Sequence, residues 1–296
     1  MNISVDRLQK NWGIMISSDD VLDLIGYDDD SLRQQLYEEK TIVVRGHTGG
    51  AEEFWRLCAK MGRTMDDTEY DRGREKHDAI VIDGETRFYG KISNIISPGL
   101  GTSFMPWHAD NPDIGGKSYP IRCLRMVTCP NTSAGFTGFL NIERAWSMLD
   151  ESIKDKWHTY TIVQQSWYEA GTNISLLPSV KVHPITGIES PLVNHHNHGD
   201  VKDAWIKDVL DTNGQSLGCG PMTDLIKSME AIDGCTYQHQ WLEGDIIIYD
   251  NHALLHNRTE LAISHTEERL MWRINVLHDP TRPLRQHISV PHHHSI

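Results

Sequence analysis

Hydrophobic residues in this chain recur mostly with the two-residue period of strands, and only a few segments carry the longer period of helices. Thr41, Ile42, Val43 and Val44 form a β-branched run closed by Gly46, and residues 120–129, 135–141 and 157–167 read as further strands. Two short runs, 79–82 and 86–89, flank an Asp83-Gly84 turn of the kind that closes a hairpin. Residues 181–187 make a strand and turn from which 191–194 return, and residues 3–17 predict an edge strand with its turn. Residues 244–256 read as a strand, a turn and a histidine, followed by a second strand over 269–276. On that second strand Arg269, Met271, Arg273 and Asn275 share one face, while Leu270, Trp272, Ile274 and Val276 share the other.

Helical spacing follows residues 28–31, whose Asp and Ser side chains are N-cap candidates for a helix through Leu32, Leu36 and Tyr37. Gly49 and Gly50 open a second helix with the apolar stripe Phe54, Trp55, Cys58 and Met61, which Gly62 stops. Further helices are predicted through Ala145, Trp146 and Leu149, over 201–210, and over 222–232. Residues 64–76 are charged and poor in core residues, and residues 95–105 are a loop rich in glycine and proline. Many short strands with turn signals, and helices outside them, predict a mixed, β-rich (α+β) fold. We read it as a double-stranded β-helix, or jelly roll, with peripheral α-helices, spanning residues 1–296 as one domain.

Charge narrows the partners. The 296 residues carry 28 Lys and Arg against 41 Asp and Glu, a formal net charge of -13, so the field of the molecule disfavours nucleic acid and anionic membrane surfaces. A small-molecule partner is expected, and a homo-oligomer stays open. No apolar run approaches the length of a membrane span and residues 1–13 lack the apolar core of a secretory signal, which predicts a soluble, cytoplasmic protein. Cys58, Cys123, Cys129, Cys219 and Cys235 are odd in number, scattered and without a C-x-x-C pair, the usage of reduced, structural thiols. The 17 histidines exceed what a core needs, and three of them close the chain as His292, His293 and His294.

Two clusters carry chemistry. Arg269 and Arg273 point together from a strand otherwise fit for a core, and buried guanidiniums are costly without an anion. The rival expectation is that they pair locally with Glu267 or Glu268. The second cluster is a His-x-Asp pair, His108 and Asp110, far upstream of His256. Two histidines and one carboxylate can occupy one face of an octahedral Fe(II), leaving three positions for a chelating cosubstrate and dioxygen. A second such pair, His198 and Asp200, would make an alternative triad with His256. The position of His108 and Asp110 in a loop between strands, where a jelly roll presents ligands at its mouth, favours the first pair.

Taken in order, these motifs resemble the taurine dioxygenase family, the TauD/TfdA-like Fe(II)/2-oxoglutarate dioxygenases. The family's W-H-x-D appears as Trp107 to Asp110, and its G-D-I-x-I-W-D-N-x-A-x-x-H appears as Gly244 to His256, with Tyr249 where tryptophan is usual. Its R-x-x-x-R appears as Arg269 to Arg273, and an H-P-x-T-G turn as His183 to Gly187. The resemblance implies His108, Asp110 and His256 as iron ligands, and Thr137 with Arg269 around the distal carboxylate of 2-oxoglutarate. Arg273 would complete that contact or hold an anionic group of the substrate. His195, His196 and His198, beyond the H-P-x-T-G turn, become substrate-contact candidates or a solvated polar loop, and His252 a structural histidine. Residues 64–76 and 95–105 would lie at the pocket mouth as a lid that orders on substrate binding. The implied cofactors are Fe(II), 2-oxoglutarate and O2, and the implied reaction is oxidation, foremost hydroxylation, of a small polar or anionic metabolite such as an amino acid or derivative, releasing succinate and CO2. The rivals are a metal-dependent lyase or hydrolase on the same jelly roll and a non-catalytic ligand-binding jelly roll. Neither needs the carboxylate clamp of Thr137 and Arg269.

Overall fold

The structure of the chain, a computed structural model, describes residues 4–17, 29–65, 76–95, 104–110, 120–130, 135–166, 173–194, 206–259 and 267–277. Two sheets face each other. The larger has nine strands, running in space Ser4–Gln9, Trp12–Ser17, Thr41–Arg45, Ile246–Asp250, Ile121–Thr128, Leu270–Leu277, Glu85–Ser93 and Lys76–Ile82, with Arg63–Thr64 paired to the far end of Leu270–Leu277. Its pairings are antiparallel except that of Trp12–Ser17 with Thr41–Arg45. The smaller runs Thr236–His239, Thr137–Asn141, Leu254–Arg258 and Met105–His108. This is the jelly roll the sequence predicts, with helices outside it.

Strand alternation sorts the apolar residues into inner and outer sets. From the larger sheet, Val43, Leu124, Met126, Ile247, Tyr249 and Met271 pack inward against Phe139 and Leu254 of the smaller. Their sequence neighbours Ile42, Cys123, Ile246, Ile248 and Ile274 face outward instead, under Leu36, Phe54, Leu57, Cys58 and Met61 of the helices Asp29–Glu39 and Ala51–Met61. Leu140 and Leu255 form the outer face of the smaller sheet, covered by Ala145 and Trp146 of the helix Ile142–Met148 and by Met222 and Leu225 of Gly220–Glu230. Each fully buried Leu or Ile side chain contributes about 2 kcal/mol, so both faces of these strands are anchored.

The predicted hairpin around Asp83 and Gly84 is present, both residues having positive φ (51° and 82°), and its strands extend beyond the predicted ones. Two expectations are corrected. Residues 157–167 do not form one strand: Trp157 and His158 end a helix, Glu151–His158, and the strand is Thr161–Ser166. Trp157 is buried and its indole donates to the Ser179 carbonyl at 2.8 Å, so a single buried anchor set the helix where alternation suggested a strand. Residues 206–210 are not helical. Ile206–Leu210 is a strand paired with Thr161–Ser166, a tertiary pairing that overrides the local pattern; residues 201–205 lie outside the described residues. The strands Asn173–Pro178 and Thr236–His239 lacked a clear sequence signal. All five cysteines are free.

Candidate metal centre and carboxylate pocket

The motif from Gly244 to His256 builds one wall of the site by a chain of constraints. Gly244 has φ +87° and a Cβ there would lie 2.4 Å from the His47 carbonyl oxygen, so no side chain is tolerated where the strand begins. Asp245, fully buried, accepts from Arg45 Nη2 at 2.9 Å and pairs with His239 Nε2 at 3.0 Å, which ties the strand start to its neighbours. At the strand's other end Asp250 caps the turn, accepting from the backbone N–H groups of His252 (3.0 Å) and Ala253 (3.3 Å). Its second oxygen meets His183 Nε2 at 2.9 Å, while His183 Nδ1 accepts from the N–H groups of Ile185 and Thr186 at 3.1 Å each. Those two donors fix the His183 tautomer with its proton on Nε2, toward Asp250. The H-P-x-T-G turn is therefore a structural joint for the turn that launches His256. His252 packs edge-on against His183, with ring centroids 5.4 Å apart, in keeping with a structural histidine.

The launched strand, Leu254–Arg258, runs beside Met105–His108 with His256 in register with His108. His108 ends its strand and Asp110 follows two residues on, its carboxylate on the same side as the His108 ring. One donor atom each from His108, Asp110 and His256 lies within 4.8 Å of the others. His108 Nε2 is 3.8 Å from Asp110 Oδ1, and His256 Nε2 is 3.7 Å from Asp110 Oδ2. His108 Nδ1 sits 2.7 Å from the Pro106 carbonyl, so it carries the proton and leaves Nε2 as a free donor pair. Protonation states favour a cation here. Burial would raise the Asp110 carboxyl, but the Arg122 guanidinium at 3.3 Å, with His256 and His108, outweighs it and holds the group at about 2. Burial, then the neighbouring His108, pushes His256 down to about 3, so its imidazole is neutral. An ionised carboxylate and a neutral imidazole are the forms in which Asp110 and His256 bind a metal.

A pocket is lined by Met126, Cys129, Phe136, Trp241 and Arg269 among others. Arg269 is 3% exposed, and its backbone N–H is held by Asn94 Oδ1 at 2.7 Å. Burial lowers its guanidinium to about 10, and among the described residues no carboxylate lies within ion-pair distance of it. The expected local pairing with Glu267 or Glu268 is not what holds Arg269; Glu268 takes the Ser93 hydroxyl instead, at 3.3 Å. Thr137 Oγ accepts from the Trp241 indole N–H at 2.9 Å, which leaves the hydroxyl hydrogen to be donated elsewhere. Arg258 stands in register with Thr137 on the same inner face as His256, and burial followed by the charge of Arg269 lowers it to about 10. Arg273 is half-buried, on the face of its strand that carries Met271 inward.

The structure thus brings together His108, Asp110 and His256, while Arg269 lines the pocket and Thr137 is bonded to the Trp241 indole that lines it too. His195, His196, His198 and Asp200 lie outside the described residues, as do 66–75 and 96–103 of the two expected lid segments. Residues missed by sequence reasoning are Arg122, Trp241, Arg258, Asn194 and the structural part of Asn251. Only Asn251 carried a signal, its place in the D-N motif.

A two-sheet jelly roll carrying a His-Asp-His group and a pocket lined by a buried arginine defines a class of mononuclear metal oxygenases. The sequence profile of the taurine catabolism dioxygenase TauD, TfdA family matches residues 5–275. The chain belongs to that family, oxidoreductases that act as Fe(II)/2-oxoglutarate-dependent dioxygenases with Fe(II), 2-oxoglutarate and O2. Among relatives, an (S)-phenoxypropionate/alpha-ketoglutarate-dioxygenase of Sphingobium herbicidovorans is 24% identical over 60% of this chain and 63% of its own. Pentalenolactone F synthase of Streptomyces avermitilis is 22% identical over 84% and 86%, and tyrosine isonitrile desaturase of Erwinia amylovora 22% over 83% and 80%. The crystal structure of AAD-2 with Mn(II) and N-oxalylglycine has a similar fold, with a TM-score of 0.67 at 15% identity over 96% of this chain and 100% of that one. A putative taurine dioxygenase from Burkholderia xenovorans has a TM-score of 0.65 at 18% identity over 94% and 93%. The substrate is a small molecule, and no helix among the described residues is long and apolar enough to cross a membrane.

Proposed function

We propose that His108, Asp110 and His256 hold the iron and that Thr137 and Arg269 hold the distal carboxylate of 2-oxoglutarate. The observation that carries this reading is the convergence of three donor atoms within 4.8 Å in a chain that also buries a guanidinium with no carboxylate partner among the described residues. Arg269 binds the carboxylate through two charge-assisted hydrogen bonds, and Thr137, oriented by Trp241, donates a third. When bound, Fe(II) and 2-oxoglutarate supply the oxidising chemistry, with succinate and CO2 as the coproducts. The chain's own part is to hold the His256 imidazole neutral, keep the Asp110 carboxylate charged through Arg122, and fill the space between the sheets with Leu124, Phe139, Tyr249 and Met271, which keeps water out.

Arg273, half-buried on the strand face that carries Met271 inward, holds an anionic group of the substrate or adds to the carboxylate clamp. The reaction is foremost a hydroxylation of a small polar or anionic metabolite, an amino acid or derivative. Relatives named for phenoxypropionate and for tyrosine isonitrile support compounds of that size and polarity. His195, His196 and His198 remain proposed substrate contacts, and a cytoplasmic enzyme without nucleic-acid or membrane partners accords with the net charge of -13. Succinate formation across a panel of amino acids, sulfonates and aryloxy acids tests the reading. Stimulation by an amino-acid-type or other small anionic compound is expected; stimulation only by neutral apolar compounds would remove Arg273 from substrate binding.

A further inference from the structure

The segment Ala109-Asp110 has left its strand, which ends at His108, yet must stay extended if His108 and Asp110 are to share a face. In an extended chain the N–H and C=O of one residue point to one edge, and those of the next residue to the opposite edge. No strand flanks this segment among the described residues, and two asparagine amides stand in for the missing neighbours. On one edge, Asn194 Oδ1 accepts from Ala109 N–H at 3.2 Å and Asn194 Nδ2 donates to Ala109 C=O at 3.1 Å. On the other, Asn251 Oδ1 accepts from Asp110 N–H at 3.1 Å and Asn251 Nδ2 donates to Asp110 C=O at 2.7 Å. Both asparagines are buried, at 0% and 4% exposure. Such pairing engages all four backbone polar groups of the two residues and restrains the backbone of Asp110 relative to that of His108.

Asn251 arrives from the turn capped by Asp250, the same turn that launches His256. Asn194 arrives independently, after the strand Glu189–Pro191, and its own N–H rests against Met222 Sδ at 3.5 Å. The two clamps therefore reference the His108–Asp110 pair to separate parts of the fold, one of which also carries the third donor. We infer that Asn194 and Asn251 are positioning residues that set the bite of His108 and Asp110 by acting as surrogate strand neighbours for the residues between and at the two donors. The inference rests on the proposed metal site. Neither asparagine supplies an atom to the three-donor group, and the effect passes through backbone geometry.

The discriminating experiment is titration of the full-length apoprotein with Co(II), reading dissociation constant and d–d absorption, for Asn194→Ala, Asn194→Ser, His108→Ala and the packing control Leu192→Ala. Leu192 is 5% exposed, lies on the same segment and packs its side chain into the apolar cluster that also holds Ala109, so its truncation loosens the packing while the asparagine amides stay in place. Loss of groups that orient a metal ligand typically weakens binding about 10- to 100-fold. Asn194→Ala and Asn194→Ser are expected to bind Co(II) at least about 10-fold more weakly with an altered d–d spectrum, and Leu192→Ala to bind within about twofold of the parent. His108→Ala is expected to abolish binding. If Asn194→Ser, folded by circular dichroism, binds with the parent's affinity and spectrum, or if Leu192→Ala weakens binding equally, the positioning role is overturned. If His108→Ala binds normally, the metal assignment itself fails, a distinct outcome.

Discussion

Arg269 shows how a single residue's chemistry reaches through the site. Its guanidinium is buried at 3% exposure and lowered to about 10, a cost the fold accepts only where an anion will bind. Arg269→Lys is expected to raise the 2-oxoglutarate concentration needed for activity by one to two orders of magnitude, roughly, because a point ammonium cannot reproduce the bidentate fork. Metal affinity should be unchanged, and an unaltered 2-oxoglutarate dependence would remove Arg269 from the clamp. A second residue-scale consequence concerns His252. Burial, and then Lys181, depress it to about 4, so the native state leaves it neutral where the unfolded chain, near 6.5, takes up a proton. Stability contributed by neutral His252 is present above the unfolded value and is lost as pH falls from about 6.5 to about 4, by at most about 3 kcal/mol. His252→Gln should flatten that part of the pH–stability curve, measured by urea denaturation; an identical curve would locate the dependence elsewhere. At this scale the donors were legible because they sit in spaced motifs. Asn194 and Arg122 were not, since a lone asparagine beyond a turn and an arginine within an apolar strand have no period or spacing to mark them.

Among the elements, the strand Leu270–Leu277 was read most fully. Its alternation separates Met271, packed inward with Tyr249 and Phe139, from Ile274 and Val276, packed outward under the helix Ala51–Met61. The same rule explains the run of isoleucines in Ile246–Asp250: Ile247 belongs to the interior, while Ile246 and Ile248 belong to the helix-covered face. Leu57→Ala, in that helix, should cost about 2–5 kcal/mol of stability through the cavity it leaves, with metal and 2-oxoglutarate affinities unchanged. A large affinity loss in a protein still folded would mean that the outer layer tunes the site, contrary to its geometry. The elements that escaped the sequence have physical reasons. Ile206–Leu210 is a strand because it meets Thr161–Ser166, a partner more than forty residues away, and Glu151–His158 is short enough that its period rests on Trp157.

Across the whole molecule, the site exists only when two sheets face each other. His108 and His256 come from the smaller sheet, Arg122 from the larger, and Arg269 from the entry to a strand of the larger. Metal and cosubstrate therefore bind the folded state alone, and Co(II) at 100 times its dissociation constant should stabilise the protein by about 2.7 kcal/mol, an increment absent in His108→Ala. The jelly roll was legible as a whole because strand density and turn signals run through nearly the full chain, whereas the pairing order of the sheets depends on contacts that no local pattern encodes. We propose that His108, Asp110 and His256 bind iron and that Arg269 holds a 2-oxoglutarate carboxylate. The most direct test of this proposal is the visible absorption of the protein with Fe(II) and 2-oxoglutarate under anaerobic conditions. A weak charge-transfer band is expected that needs both additions, is absent in His108→Ala and Asp110→Ala, persists in His198→Ala, and in Arg269→Lys appears only at higher 2-oxoglutarate. No band in the parent protein, or a band that survives Asp110→Ala but is lost in His198→Ala and Asp200→Ala, would contradict it.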